Sequence, residues 1–145
     1  MKINIDVNTE YDDIEVSIRC PKITEQIEEI IAHLSLYNNT IAGKLNDSQH
    51  ILKFNEILYF DTTDKKTFIY TENGVYETPL RLYQIEERII GTSFIKVSKS
   101  AILNLKRVKI IDTKLNGKLI ATLTNDEKIE ITRTYVPVLK EKLGL

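Results

Sequence analysis

The densest group of side chains able to bind a ligand lies in residues 94–104, with the sequence FIKVSKSAILN. Lys96, Ser98, Lys99 and Ser100 place two ammonium groups and two hydroxyls within five residues, between two apolar runs. Apolar runs rich in β-branched and aromatic residues are typical of strands, so the polar residues are predicted to lie at a turn between strands. Ammonium and hydroxyl groups suit contacts to phosphate. The segment is therefore either a solvated turn or a loop that binds a polyanion.

Other chemistries find little support in the residue types. The only histidines, His33 and His50, lie far from the single Cys20, and no zinc-ligand spacing occurs. A serine or cysteine nucleophile needs a positioned base, but the chain has neither a Gly-x-Ser-x-Gly motif nor a cysteine–histidine pairing. The five glycines are scattered, which excludes a glycine-rich phosphate loop. We therefore expect no enzyme activity, no metal and no cofactor.

Length and composition are those of an ordinary globular protein. At 145 residues, with 42% hydrophobic and 28% charged residues, the chain fits one domain, or one domain with a small accessory unit. No apolar run approaches the ~18 residues of a membrane helix, so no membrane insertion is expected. Cys20 has no partner for an internal disulfide, which suits a reducing compartment. We expect a cytoplasmic protein.

Charge is unevenly distributed along the chain. Residues 1–50 hold four basic and nine acidic side chains, a net charge of −5, and residues 51–93 have a net charge of −2. Residues 94–145 hold eleven basic and five acidic side chains, a net charge of +6. Affinity for DNA depends on a local basic face rather than on the overall charge. The C-terminal third is therefore either an ordinary lysine-rich surface or a nucleic-acid-binding face.

Residues 1–45 are predicted to form a small β-β-α leader. Apolar and polar residues alternate in 2–7 and in 14–18, which indicates two half-buried strands. Thr24 is a suitable N-cap for a helix whose apolar residues recur with helical spacing. Such a unit is small for an independent fold, since domains below ~40 residues rarely bury enough surface. We expect it to dock on the rest of the chain or on a second subunit, as a dimerisation or signal-receiving unit.

Residues 46–145 are predicted to be mostly strands. Turn residues separate short apolar runs, among them Asn73-Gly74 and Asn116-Gly117, which supply the φ > 0 that tight hairpins need. A first helix is expected to open at Thr78-Pro79, and a last helix is expected to follow an N-cap at Thr134. The expected fold class is mostly β (α+β), with two short helices after the leader.

Three stretches occur in a fixed order: residues 57–60 (ILYF), residues 94–104, and residues 129–135 (IEITRTY). This order resembles the LytTR-type DNA-binding domain of bacterial transcription regulators over about residues 50–145. That family has a strand ending in hydrophobic, aromatic and acidic residues, then Phe-x-Arg-x-His-x-Ser-x-x-Val-Asn, then Ser-Arg-x-Tyr before a last helix. The resemblance implies small antiparallel sheets whose loops, rather than a helix, enter successive major grooves. The leader is too short to hold the receiver domain that many members carry, so a standalone regulator is expected.

The resemblance also implies DNA-facing residues on three loops. The first loop follows the 57–60 strand, the second lies within residues 96–100, and the third precedes the last helix. The expected DNA-binding residues are Lys65, Lys66, Lys96, Ser98, Lys99, Ser100 and Arg133. Arginine can bridge guanine O6 and N7, and lysine can reach the same acceptors or a phosphate.

Four positions qualify what the family pattern implies. Lys96 stands where arginine is common, Ser98 where histidine is common, and Thr132 where serine is common. No operator sequence can therefore be transferred from the family. Asn104 matches the asparagine of the motif, but after two apolar residues it could equally be a buried turn residue.

The expected function is sequence-specific binding of double-stranded DNA by a transcription regulator, as a homodimer and with a signalling protein as a further candidate partner. One alternative is a protein-interaction module of the same fold that has lost DNA binding. A second alternative is an RNA-binding module, which requires aromatic side chains exposed on a sheet face. Tyr70 and Tyr76, which flank a hairpin, are the candidates for that role.

Overall fold

Three α-helices and ten strands make up the chain in a computed structural model, which describes residues 1–145. The helices are α1 (Glu25–Ser35), α2 (Leu82–Arg88) and α3 (Val136–Leu143). The strands are β1 (Thr40–Leu45), β2 (Ser48–Lys53), β3 (Ile57–Thr63), β4 (Lys66–Thr71), β5 (Gly74–Thr78), β6 (Phe94–Ser98), β7 (Ala101–Asn104), β8 (Val108–Thr113), β9 (Leu119–Leu123) and β10 (Lys128–Ile131). Single 3₁₀ turns cover Leu36–Asn38, Phe54–Glu56, Leu105–Arg107 and Arg133–Tyr135.

The strands form two antiparallel sheets. The larger sheet has seven strands in the order β2-β1-β5-β4-β3-β7-β6, and the smaller has three in the order β10-β9-β8. Every hydrogen-bonded pair of strands is antiparallel. The predicted mostly-β fold class is therefore confirmed.

Two hydrophobic clusters lie on opposite faces of the larger sheet. Along β7, Ile102 belongs to the first cluster while Ala101 and Leu103 belong to the second, as the alternation of side chains in a strand requires. The first cluster also contains Ile85 of α2, and the second contains Leu139 of α3. The larger sheet is thus packed between α1 and α2 on one face and the smaller sheet with α3 on the other.

The two strands expected in residues 2–7 and 14–18 are not formed. Neither segment belongs to a sheet, and a single backbone hydrogen bond, from Tyr11 N to Asn8 O at 3.1 Å, marks the turn between them. Their apolar side chains face solvent; for example, Ile5 is 84% exposed and Ile14 is 90% exposed. A pattern of period two predicts a strand but not its partner, and an isolated two-stranded hairpin is only marginally stable in water. The prediction of paired strands was wrong for the single chain.

The helix boundaries differ from the predicted ones in two places. Thr24 caps α1 as predicted, since its Oγ1 accepts a hydrogen bond from Ile27 N at 3.4 Å. Thr78 instead ends β5, opposite Thr67 of β4, so α2 begins only at Leu82. The N-cap of α3 is Tyr135 rather than Thr134, because a 3₁₀ turn precedes that helix. None of the three α-helices combines the length and hydrophobicity that a membrane crossing requires.

Candidate nucleic-acid interface

Three connections that carry predicted site residues lie at the same end of the two sheets. Strands β3, β6 and β10 run toward this end, and their antiparallel neighbours β4, β7 and β9 run away from it. The connections are the β3–β4 turn at residues 64–65, the β6–β7 turn at 99–100, and the β10–α3 connection at 132–135. We call these three connections together the loop row.

Backbone hydrogen bonds hold the loop row together. The β3–β4 hairpin meets the β6–β7 hairpin because Thr62 N donates to Ser100 O at 2.9 Å. The third connection is attached to the end of β6, where the amide of Thr132 donates to Val97 O at 3.0 Å and its hydroxyl donates to the same oxygen at 3.3 Å. Loops that are distant in the chain are thus fixed side by side by the sheet.

The β3–β4 turn holds Lys65 in an unusual backbone conformation. Asp64 and Lys65 have φ values of 52° and 65°, which is the pattern of a type I′ hairpin turn. The other three non-glycine residues with positive φ are Asn39, Asn46 and Asp126, types that tolerate this region. Lys65 is therefore the one residue of the chain with positive φ whose residue type is not favoured in the left-handed region, where its Cβ is sterically strained. Its side chain is exposed at the tip of the turn.

Arg81, which the sequence interpretation missed, supports this turn. Its guanidinium Nη1 donates to the backbone oxygen of Lys65 at 3.2 Å. Arg81 is itself exposed and immediately precedes α2. The contact links positions 16 residues apart, and no local pattern in the sequence indicates it.

The β6–β7 turn is organised by a serine rather than by glycine. Ser98 Oγ accepts a hydrogen bond from Ser100 N at 3.2 Å and lies 3.4 Å from Ser100 Oγ. This side-chain-to-backbone bond imitates a backbone turn. It leaves Lys99 exposed at the tip. Ser98 thus has a structural role that the sequence interpretation did not assign to it.

Two of the predicted cations are engaged by carboxylates. Lys96 Nζ lies 3.3 Å from Glu86 of α2 and 5.9 Å from the ring centre of Tyr135. Lys66 Nζ lies 4.0 Å from Glu77 of β5. Lys65, Lys99 and Arg133, by contrast, are exposed, and none of them forms an ion pair.

Asn104 is buried, which resolves the alternative left open by the sequence. It is 1% exposed, and its Nδ2 donates to Ile57 O at 2.9 Å. Its Oδ1 accepts hydrogen bonds from Ser93 Oγ at 2.8 Å and from Lys106 N at 3.1 Å. The side chain ties β7 to β3 and to two turns at the end of the sheet opposite the loop row. Asn104 therefore stabilises the fold and does not face a ligand.

A fourth turn, between β8 and β9, lies against Arg133. The aliphatic part of Arg133 covers Gly117, where an added Cβ would lie 3.3 Å from Arg133 Cδ. The turn is also longer than the two-residue hairpin that Asn116-Gly117 predicts, since it spans residues 114–118 and only Gly117 has positive φ, at +75°. The placement depends on the β9–β10 hairpin, whose reversal the Asn125-Asp126 pair predicts, and on the exact register of that pairing, which the residue pattern did not specify.

Metal-binding geometry is absent. No group of three histidine, cysteine, aspartate or glutamate side chains is arranged to hold an ion. Cys20 is a free, exposed thiol.

Comparison with known proteins gives a family and a fold. Residues 47–144 match the family model for the LytTr DNA-binding domain. Over the whole chain, the sequence is 25% identical to uncharacterised HTH-type transcriptional regulators of Staphylococcus aureus strains MSSA476 and MW2, covering 99% of each. A third relative, from strain MRSA252, is 24% identical with the same coverage.

A solved structure has the same fold. It is the LytTr DNA-binding domain of a Bacillus cereus protein described as a methyl-accepting/DNA response regulator, with a TM-score of 0.70 and 22% sequence identity. The match covers 74% of this chain and 98% of that domain. In this chain α1 and α2 are separated by strands β1 to β5, and α2 and α3 by strands β6 to β10, so no two consecutive α-helices form a helix-turn-helix.

Proposed function

The chain belongs to the family of LytTr DNA-binding domains, and we propose that it is a transcription regulator that binds duplex DNA sequence-specifically through the loop row. The observation that carries this proposal is the hydrogen-bonded contiguity of the three loops, which brings Lys65, Lys99 and Arg133 to one end of the sheets with no carboxylate paired to any of them. A row of unpaired cations can lie along the row of phosphates on a DNA strand. Binding is favourable because each neutralised phosphate releases condensed counterions.

The three cations have different roles in this proposal. Arg133 has a stem held against Gly117, which limits its freedom, and a guanidinium that can bond guanine O6 and N7 in the major groove. Lys65 and Lys99 stand at turn tips and contact phosphates or guanine, while the hydroxyl of Ser100 contacts phosphate. Lys66 and Lys96 add less, since each shares its charge with a glutamate.

The structure disfavours the RNA alternative. Tyr76 is 7% exposed, and Tyr70 is stacked on Tyr59 with ring centres 4.2 Å apart. Tyr76 is therefore buried and Tyr70 has one ring face already covered, so the two do not form the pair of exposed stacking platforms that single-stranded RNA recognition requires. The remaining alternative, a protein-interaction module, predicts binding to DNA that barely changes between low and moderate salt.

The test combines selection with a salt titration. Duplexes selected from a random pool by the full chain are compared with sheared DNA and single-stranded RNA by fluorescence anisotropy. We expect Arg133→Ala to cost about 1–3 kcal/mol on the selected duplex and to relax preference at one base pair. Lys106→Ala is the matched control, because Lys106 is an exposed lysine beyond the far end of β7. If Arg133→Ala and Lys106→Ala bind alike, the site assignment is wrong.

We also propose that the predicted leader, residues 1–45, mediates homodimerisation through its exposed N-terminal arm, since its helix α1 and strand β1 are packed in the core of the single chain. Six apolar side chains of the N-terminal arm, residues 1–23, are between 40% and 90% exposed; they are Ile3, Ile5, Val7, Ile14, Val16 and Ile18. Exposed apolar residues in such a series mark an interaction surface. Two copies of the arm can supply four strands, and three or more strands with an apolar face are needed for independent stability.

Sedimentation of the full chain tests the dimer. The double variant Ile5→Asp, Val16→Asp should be monomeric at concentrations where the parent is dimeric. Val138→Asp, which changes an exposed apolar residue of α3, is the control and should leave the dimer intact. A parent chain that is monomeric at high micromolar concentration, with and without DNA, rules out this proposal and leaves a signalling protein as the partner of the arm.

Since duplex DNA is its proposed ligand, we assign the chain to the cytoplasm.

A further inference from the structure

The β8–β9 turn, residues 114–118, carries two lysines that the functional assignment above does not use. Lys114 and Lys118 stand at its two ends, and the Leu115 side chain between them is fully exposed, at 105% of its reference area. Two backbone hydrogen bonds close the turn, from Lys114 N to Lys118 O at 2.9 Å and from Gly117 N to Lys114 O at 3.3 Å. The turn is therefore an ordered projection rather than a loose loop.

This projection extends the loop row beyond Arg133. Strand β9 is the neighbour of β10, with Leu119 opposite Ile131, so the turn before β9 lies beside the connection after β10. Gly117 is covered by the Arg133 stem, and adjacent strands are ~4.8 Å apart. One DNA strand presents a phosphate every ~3.4 Å along the helix axis. A side chain that lies one β-strand spacing beyond Arg133 can therefore reach a phosphate one or two positions farther along the DNA.

A single carboxylate bridges the two lysines. Glu130 Oε1 lies 3.1 Å from Lys118 Nζ, and its Oε2 lies 3.6 Å from Lys114 Nζ. The hydrogen bond and charge of Lys118, followed by the charge of Lys114, hold the pKa of Glu130 below its ordinary value. Each of the two ammonium groups thus contacts a different oxygen of one anion. A phosphate group, which also has two free oxygens, can be held by the two lysines in the same way. All three side chains are partly exposed, between 36% and 51%, so the bridge is open to exchange.

We propose that the β8–β9 turn is a further DNA-backbone site, in which Lys114 and Lys118 bind phosphate next to the Arg133 contact and Glu130 occupies that position in the free protein. The inference rests on the proposed function, since it concerns the same duplex. In this arrangement Glu130 lowers the affinity for any DNA duplex. When a phosphate takes its place between the two lysines, the negative carboxylate remains nearby and repels the phosphate.

Three variants of the full chain test the site by fluorescence anisotropy on the selected duplex and on a duplex of unrelated sequence, at several salt concentrations. Lys114→Gln should weaken both duplexes by a similar factor, up to about fivefold, and reduce the salt slope by less than ~0.9, because Glu130 already shares the charge of Lys114. Glu130→Gln should strengthen both by about fivefold, an outcome that a merely structural carboxylate does not produce. Lys106→Gln is the control and should match the parent.

The outcomes separate this inference from the proposed function. If the parent binds duplex DNA and Arg133→Ala weakens it, but Lys114→Gln matches the parent, the turn is not a DNA site and the proposed function stands. A Glu130→Gln variant that is folded by circular dichroism and binds equally or more weakly also overturns the inference. A parent that binds no duplex overturns both.

Discussion

Replacement of Lys65 by glycine should stabilise the protein while weakening DNA binding. Lys65 has φ of 65°, where the Cβ of an L-residue causes ~1–2 kcal/mol of steric strain that glycine does not have. Glycine costs ~0.5–1 kcal/mol more backbone entropy than other residues on folding. The balance is a gain of about 0.5–1 kcal/mol in the free energy of unfolding. In a chain of this size that corresponds to a rise of ~1–4 °C in Tm.

The same change removes one of the three unpaired cations of the loop row. If Lys65 contacts one phosphate, the slope of log K against log salt falls in magnitude by ~0.9. Loss of one exposed charge contact is worth ~1 kcal/mol, so affinity should fall about fivefold for all duplexes. A Lys65→Asn variant should behave similarly, because asparagine also tolerates positive φ.

Thermal denaturation and fluorescence anisotropy on the same preparations check both expectations. Asn46→Gly is the matched control, because Asn46 has φ of 55° in the β1–β2 turn, at the end of the sheet away from the loop row. It should leave DNA affinity unchanged. The reasoning is refuted if Lys65→Gly lowers Tm, or if it raises Tm and binds DNA as tightly as the parent.

Three further substitutions have expected outcomes. Lys96→Ala should weaken all duplexes about equally and reduce the salt slope by less than ~0.9, because a neighbouring carboxylate already shares its charge. Tyr59→Phe removes the hydrogen bond to Glu127 at 2.8 Å and should cost about 1.5 kcal/mol in urea denaturation at neutral pH. Burial and that hydrogen bond raise the pKa of Tyr59 above its ordinary 10.0, so the associated stability is complete below pH ~10 and is lost above it; the parent should therefore lose stability there more steeply than Tyr59→Phe. Gly117→Ala should lower the free energy of unfolding by ~1–2 kcal/mol because φ is +75°, and should weaken DNA binding by displacing Arg133.

The strands of the core could be predicted from local pattern, whereas their partners could not. β6 and β7 are evident in the sequence because buried β-branched and aromatic residues surround a polar turn. Residues 2–7 show an equally regular alternation, yet remain unpaired in the single chain. Alternation of apolar and polar residues shows that a segment can bury one face as a strand. The strand with which it pairs is decided by the rest of the fold.

The sequence could indicate which residues belong to the candidate site, but not how their backbones and side chains are arranged. Family resemblance indicated Lys65, Lys99 and Arg133, but not that Lys65 lies in the left-handed region, which depends on the twist of the hairpin around it. The packing of Arg133 on Gly117 depends on the register of the β9–β10 hairpin and on where the turn before β9 lies, which a local pattern of residue types does not fix. The contact of Ser98 with DNA stays a prediction; what the sequence did not indicate is that its Oγ also accepts a hydrogen bond from Ser100 N and so shapes the turn.

Amide chemical shifts of the isotopically labelled full chain, recorded while the selected duplex is added, test the central claim most directly. The account predicts that the largest changes fall in residues 62–66, 97–101, 114–118 and 132–135, all at one end of the sheets. Changes concentrated in α1 or the β1–β2 turn, with the loop row unaffected, would contradict it.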